Sequence, residues 1–268
     1  MSITPKDKKS KPAPRILTVK SAYHLTPNMI RVTFHGPEIA SIPEGCEGAN
    51  CKLFLPEANQ TRADFEHQFD AGPRPTVRTY TVRHIRHDTH EMDIDFVDHG
   101  ESGPASAWAI NAKPGDFCGF AGPGQLKIAA FEADWYLLVA DLSALPVVAA
   151  TLEAMPKDAT GVAFFEVTNA ADRQEIDAPA GIVQHWLVHP DPHTASSQLT
   201  DVIQQMEWPS GQVQTCIAGE SGVIKSLRQF LHVTKGIDRS QTYLSGYWKL
   251  GMIEDEHQQM KRAEAAAA

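Results

Sequence analysis

The sequence predicts a β + α/β architecture, a six-stranded antiparallel Greek-key β-barrel followed by a small doubly wound parallel α/β domain. Three observations carry this expectation. Short β-type runs broken by Gly and Pro fill the chain from Arg15 to about Leu126. After Phe131 the texture changes to strands alternating with helical segments, the pattern of a parallel sheet with right-handed crossovers. The length of 268 residues exceeds what one compact core usually organises, so two domains are expected.

The barrel strands are Ile16 to Tyr23, Met29 to Phe34, Cys51 to Leu55, Val77 to His84, Met92 to Val97 and Asp116 to Phe120. One short helix is expected among them, Gly103 to Ala112, where Gly103-Pro104-Ala105-Ser106 places proline in the first turn ahead of Trp108, Ala109 and Ile110. Glu57 to Pro75 reads as a long loop that either covers a pocket or bridges two strands. In the second half Trp135 to Ala140 is a buried apolar strand, and Ala144 to Ala154 a helix stopped by Pro156. Val162 to Val167, Ile182 to Val188, Val213 to Ala218 and Gln241 to Leu244 supply four more strands, with helices over Ser197 to Met206 and Glu220 to Val233. The expected limits are 15–130 for the barrel and 131–251 for the α/β domain. A flexible tail is expected over 1–14, and a helix or tail over 252–268, where Ala-rich composition favours helix.

Composition narrows the function. Hydrophobic content of 42% with 21% charged residues is ordinary globular usage, and no uncharged apolar run reaches the ~18 residues that cross a bilayer. A soluble, cytoplasmic monomer without membrane attachment is the expectation. The net charge of −9 argues against a general nucleic-acid surface, which needs clustered Lys and Arg. Cys46, Cys51, Cys118 and Cys216 form no C-x-x-C pair and read as reduced thiols. The 12 His show neither H-E-x-x-H nor a facial-triad pattern, so no protein-bound metal is expected.

Two clusters carry chemistry. Arg78-Thr79-Tyr80-Thr81 lies on a strand, so alternation puts Arg78 and Tyr80 on one face and the two threonines on the other. Such a strand can offer a cation, a ring and a hydroxyl to an extended ligand; alone, it reads sooner as an ordinary solvated strand. His99-Gly100-Glu101-Ser102-Gly103-Pro104-Ala105-Ser106 joins the fifth strand to the short helix. Its glycines and helix N-terminus suit a pyrophosphate, although a simple capped turn would look the same.

Arg78-Thr79-Tyr80-Thr81-Val82-Arg83, His99-Gly100 and Gly103-Pro104-Ala105-Ser106-Ala107-Trp108 together resemble the siderophore-interacting proteins, a branch of the ferredoxin-reductase-like flavoproteins. Pro114-Gly115-Asp116, Gly122-Pro123-Gly124 and Gly246-Tyr247-Trp248-Lys249-Leu250-Gly251 extend the resemblance over most of the chain, Gly-Tyr-Trp being its most specific part. The resemblance implies an FAD-binding barrel and an FAD-dependent oxidoreductase that reduces Fe(III) held in a siderophore. It places FAD against Arg78, Thr79, Tyr80, Thr81, Val97, His99, Gly103, Pro104, Ala105 and Ser106. Asp141, Ser143, Ala144, Tyr247 and Trp248 complete that set from the second domain. Where relatives often show Asp-Glu-Thr-Ala-Leu-Pro, this chain has Asp141-Leu142-Ser143-Ala144-Leu145-Pro146, in which Ser143 is expected to cap a helix.

The resemblance also points to Lys52, Lys127 and Lys249 as a basic triad for an anionic ferric chelate, although each taken singly is an ordinary surface lysine. No catalytic acid, base or nucleophile is implied, because electron transfer through FAD makes no bond to a side chain. NADH or NADPH is the expected donor, with Glu166 as a ribose partner and Gly219-Glu220 leading into a helix, features that any αβ unit also contains. The second domain has no G-x-G-x-x-G. Reduced ferredoxin as the donor, a non-catalytic siderophore or iron carrier, and a flavin reductase of small organic acceptors are the competing readings.

Overall fold

The first half of the chain folds as one curled antiparallel sheet because its short apolar runs alternate inward and outward about tight turns. Its elements are β1 (Arg15–Thr26), β2 (Met29–His35), β3 (Asn50–Leu55), α1 (Arg62–Ala71), β4 (Thr76–Thr81), β5 (His84–Arg86), β6 (Glu91–Val97), α2 (Pro104–Asn111) and β7 (Phe117–Ala121). The computed structural model describes residues 14–253 together with 256, 257, 259, 260 and 263. Positions 1–13 of the expected tail, and most of the helix expected beyond 252, lie outside the described residues. Glu256, His257, Gln259, Met260 and Ala263 are helical.

Strand order is β4-β3-β7-β1-β2-β6-β5, with every pairing antiparallel. Leu17, Val19, Val32, Phe34, Leu53, Ile94, Phe96 and Phe120 fill the interior. Helix α2 closes the barrel from one side, burying Ala105 and Ala109 and stacking Trp108 on Phe34 at a ring separation of 6.0 Å. The sheet has seven strands rather than six, because the expected Val77 to His84 strand breaks after Thr81. Val82 N donates to Ala49 O at 2.9 Å and Arg83 N to Asp93 O at 2.9 Å, so these two residues carry the chain from the β3 side to the β6 side. That crossing draws the two edges of the sheet together.

The expected loop from Glu57 to Pro75 is largely helix α1. Thr61 caps it, accepting from Asp64 N at 3.2 Å. Phe65 is buried, and Phe69 packs edge-to-face on Phe54 at 5.3 Å, so the helix covers the outside of the barrel.

The second half comprises β8 (Trp135–Asp141), α3 (Leu145–Ala154), β9 (Thr160–Val167), β10 (Gly181–Val188), α4 (Gln198–Gln205), β11 (Val213–Glu220), α5 (Ser221–Gln229) and β12 (Thr242–Trp248). All strands are parallel in the order β10-β9-β8-β11-β12. Tyr136, Leu138 and Ala140 of β8 face α3, whereas Leu137 and Val139 face α4 and α5, the two-sided burial of a doubly wound sheet. Strand β12 runs four residues beyond the expected Leu244, which brings Gly246, Tyr247 and Trp248 into the sheet.

The halves are joined by more than the 122–134 linker. Met29 and Val97 of the barrel pack into the core beneath α3. Arg83, 3% exposed, forms a bidentate pair with Glu153 of α3, both contacts at 2.6 Å. The connection between β9 and β10 has only a 3-10 turn at Ala170–Asp172, and the fully buried Asp172 there accepts from Thr26 Oγ1, Asn28 N and Asn28 Nδ2 at 2.8–2.9 Å.

Candidate functional site

A cleft of about 2000 Å³ opens between the two sheets, roomier than the about 300–1,000 Å³ of a typical single-ligand pocket. Its barrel wall is β4, the end of β6 and the start of α2; its opposite wall is formed by the carboxyl ends of β8, β9, β11 and β12. The second wall borders the switch point between β8 and β11, where open α/β sheets take ligands.

On the barrel wall Arg78, Thr79, Tyr80 and Thr81 of the edge strand β4 all line the cleft. The Tyr80 ring packs 4.3 Å from that of Phe96, anchored on the barrel core. Lys52, opposite Thr79 in the β3–β4 register, donates to Thr79 Oγ1.

Val97, His99, Gly103, Pro104 and Ala105 continue this wall. Gly103 is the N-cap of α2 and no side chain caps the helix, so its first-turn amides are left for water or a ligand. A Cβ at Gly103 would run into the His99 ring, which explains the glycine. Ser106 departs from expectation: it is 1% exposed, and its Oγ accepts from His99 N at 3.2 Å. Its hydroxyl braces the turn and does not face the cleft. An uncapped helix start beside Gly100 and Gly103, an aromatic ring on β4 and a long cleft fit a flavin dinucleotide.

Across the cleft Asp141 organises the ends of three strands. Its Oδ1 accepts from Ser143 N, Ser143 Oγ and Ala144 N at 2.9, 2.6 and 3.2 Å, and its Oδ2 accepts from Trp248 Nε1 at 2.7 Å. The expected cap is therefore reversed: Ser143 donates to Asp141, and the aspartate serves the start of α3. Ala144 is fully buried and does not reach the cleft. Burial pushes the Asp141 carboxyl up, against the pull of its hydrogen bonds. Gly219, at φ +146°, leaves the space that the carboxylate fills, since a Cβ there would lie 2.6 Å from Asp141 Oδ2.

Glu166 and Glu220 also line this wall. Glu166 accepts from Ser196 Oγ at 2.5 Å, and burial raises its carboxyl. Glu220 N-caps α5, accepting from Gly222 N and Val223 N at 2.5 and 3.0 Å, while its other oxygen takes Leu250 N at 3.2 Å. The first-turn amides of α5 are thus met by the chain's own carboxylate.

The three lysines all line the cleft, though from different elements. Lys127, on the linker, donates to Asn50 Oδ1 at 2.7 Å and lies 5.6 Å over the Tyr243 ring. Lys249 follows Trp248 and donates to Met260 Sδ at 3.4 Å. Tyr243 and Tyr247 approach through their hydroxyls at 3.1 Å, and burial holds both phenols above the ordinary tyrosine range. Sequence reasoning missed Asn50, Ser196 and Tyr243. Only Tyr243 left a signal, standing four residues before Tyr247 on the same strand face.

Residues 18–126 match the siderophore-interacting FAD-binding domain, and residues 133–251 match the siderophore-interacting protein domain. The ferric vibriobactin reductase ViuB of Vibrio cholerae is 35% identical over 91% of this chain and 92% of its own. This chain belongs to the siderophore-interacting protein family. Another relative, the NADPH-dependent ferric-chelate reductase of Escherichia coli, is 28% identical over 87% of this chain and 92% of its own. The crystal structure of the siderophore-interacting protein SipS from Aeromonas hydrophila superimposes with a TM-score of 0.82 at 32% identity, covering 96% of this chain and 99% of that one. The fold reaches further, to a ferredoxin-NADP+ reductase from Plasmodium falciparum at a TM-score of 0.59 and 12% identity, covering 87% and 96%. The family's FAD-binding half is the barrel with its uncapped α2, and the cleft of this siderophore-interacting protein is where both halves meet.

Proposed function

We propose that this chain is an FAD-dependent ferric-siderophore reductase that draws electrons from NADH or NADPH and releases iron as Fe(II). The observation that carries the reading is one cleft holding both an uncapped helix start on a flavin-domain barrel and lysines from three separate segments of the chain. The names of the relatives, a ferric vibriobactin reductase and a ferric-chelate reductase, support it.

Bound FAD supplies the conversion of hydride transfer into single-electron steps. Arg78, Thr79, Tyr80, Thr81, Val97, His99, Gly103, Pro104 and Ala105 would hold it along the barrel wall, with Ser106 fixing the turn from behind. Asp141, Ser143, Tyr247 and Trp248 would border it from the α/β side. Lys52, Lys127 and Lys249 concentrate positive charge that a protein of net charge −9 otherwise lacks, and so attract an anionic chelate. Hard oxygen ligands hold Fe(III) far more firmly than Fe(II), so one electron loosens the metal without any acid, base or nucleophile from the protein.

The test is anaerobic mixing of the FAD-loaded protein with NADH or NADPH, followed by a panel of ferric chelates and a ferrous-specific dye. Flavin bleaching and then dye colour are expected. Protein that takes up no FAD, or reduced flavin that no ferric chelate reoxidises, would overturn the reading. Replacing Lys52, Lys127 and Lys249 together with alanine is expected to weaken chelate binding while FAD stays bound.

A further inference from the structure

The two walls of the cleft differ in charge. Lys52, Arg78 and Lys127 stand on the barrel and linker side with Asp95 and Asp98, and Lys249 follows β12 on the other side. Among the described residues from Val139 to Ser226 that line the α/β side there is no lysine or arginine, and Asp141, Glu166 and Glu220 are its carboxylates. His189 and His193 are the imidazoles on that stretch.

Position matters as much as sign. Glu166 lies one residue from the carboxyl end of β9, the second strand of the α/β sheet, and pairs in register with Asp141 of β8. In doubly wound folds an acidic residue at the end of the second strand accepts hydrogen bonds from the adenosine ribose, and a 2′-phosphate there needs an arginine instead. Glu166 binds Ser196 Oγ through Oε2, and among the described residues its Oε1 has no hydrogen-bond partner. Asp141 accepts from Ala144 N ahead of α3 and Glu220 from Gly222 N and Val223 N at α5, so a phosphate at either of these two helix starts would face a carboxylate, whereas α4, beside Glu166, begins without a side-chain cap.

On the basis of the nicotinamide-dependent reading given above, we infer that the chain takes NADH in preference to NADPH, with Glu166 as the residue that discriminates. Its carboxylate accepts from the ribose hydroxyls of NADH. The same charge, with Asp141 beside it, repels the 2′-phosphate of NADPH.

Two measurements on the FAD-loaded protein test this. Anaerobic flavin reduction by NADH should exceed that by NADPH at least tenfold in second-order rate, and Glu166→Gln should narrow the ratio at least threefold, chiefly by improving NADPH. Independently of turnover, calorimetric titration should show AMP binding more tightly than 2′-phospho-AMP. Equal or better use of NADPH, a ratio unmoved by Glu166→Gln, or tighter binding of 2′-phospho-AMP would each overturn the inference. If neither nicotinamide bleaches the flavin while dithionite-reduced protein still reduces ferric chelates, the nicotinamide donor itself is wrong, and the inference falls with it.

Discussion

Trp248 donates its indole N–H to Asp141 Oδ2 at 2.7 Å, bridging the end of β12 to the end of β8 across the intervening β11. Asp141 in turn fixes Ser143 and the first turn of α3, so the Gly-Tyr-Trp segment and the switch point are one hydrogen-bonded unit. Trp248→Phe keeps the aromatic bulk but removes the donor from a raised carboxyl. It should cost about 1–2 kcal/mol, a fall in melting temperature of roughly 2–8 °C for a chain of this size. Differential scanning calorimetry measures it, and an unchanged transition would mean that the bond adds nothing to stability.

Asp172 holds the barrel hairpin to the α/β domain with no exposure to solvent. Asp172→Ala leaves Thr26, Asn28, Thr168 and Asn169 without their shared acceptor. The expected loss is about 2–4 kcal/mol, read from the urea midpoint, with Asp172→Asn intermediate because one oxygen remains.

Acid should loosen the barrel through Asp93. Burial alone would raise this carboxyl, but hydrogen bonds from Arg86, His84 and Thr33 together hold it well below the usual aspartate range. A depressed carboxyl stabilises the fold in full above its unfolded value of about 4 and loses that contribution as pH falls towards the folded value. The stability gap between wild type and Asp93→Asn should therefore be constant from pH 7 to 5 and shrink below pH 4, as urea titrations at each pH would show.

The thiols should be inert in the native state. All four cysteines are buried; burial pushes Cys46 up to about 11 and Cys216 up to about 12, which leaves almost no thiolate at neutral pH. A colorimetric disulfide reagent should titrate them only after unfolding; rapid reaction of any one in the folded protein would contradict the burial.

How much of this was legible in the residues follows from what each signal reports. Period-two and period-3.6 patterns located most strands and α3, since burial on one or two faces writes itself into composition. Helix α1 escaped because its buried residues are Phe65 and the polar Gln68, with Phe69 half-buried, amid charged residues, although Thr61 and Asp64 spelled out its cap. The break after Thr81 was invisible because Val82 and Arg83 continue the strand pattern, and only their bonds to Ala49 and Asp93 across the barrel turn them. At the site, Arg78 to Thr81 and Gly103 to Ala105 were legible as motifs. The reversed cap at Asp141 and the burial of Ser106 were not, since both depend on which of two nearby groups a hydroxyl meets after folding.

Lys127 belongs to neither sheet, yet its ammonium is supported by Asn50 of the barrel and by Tyr243 of the parallel sheet. A chimera that keeps only one half of this molecule therefore keeps only one of these two props of its own, even when the linker itself is left intact. Because Arg83–Glu153 and Asp172 with Thr26 and Asn28 cross the same seam, exchanging one half alters the support of this lysine and the anchoring of the two lobes together.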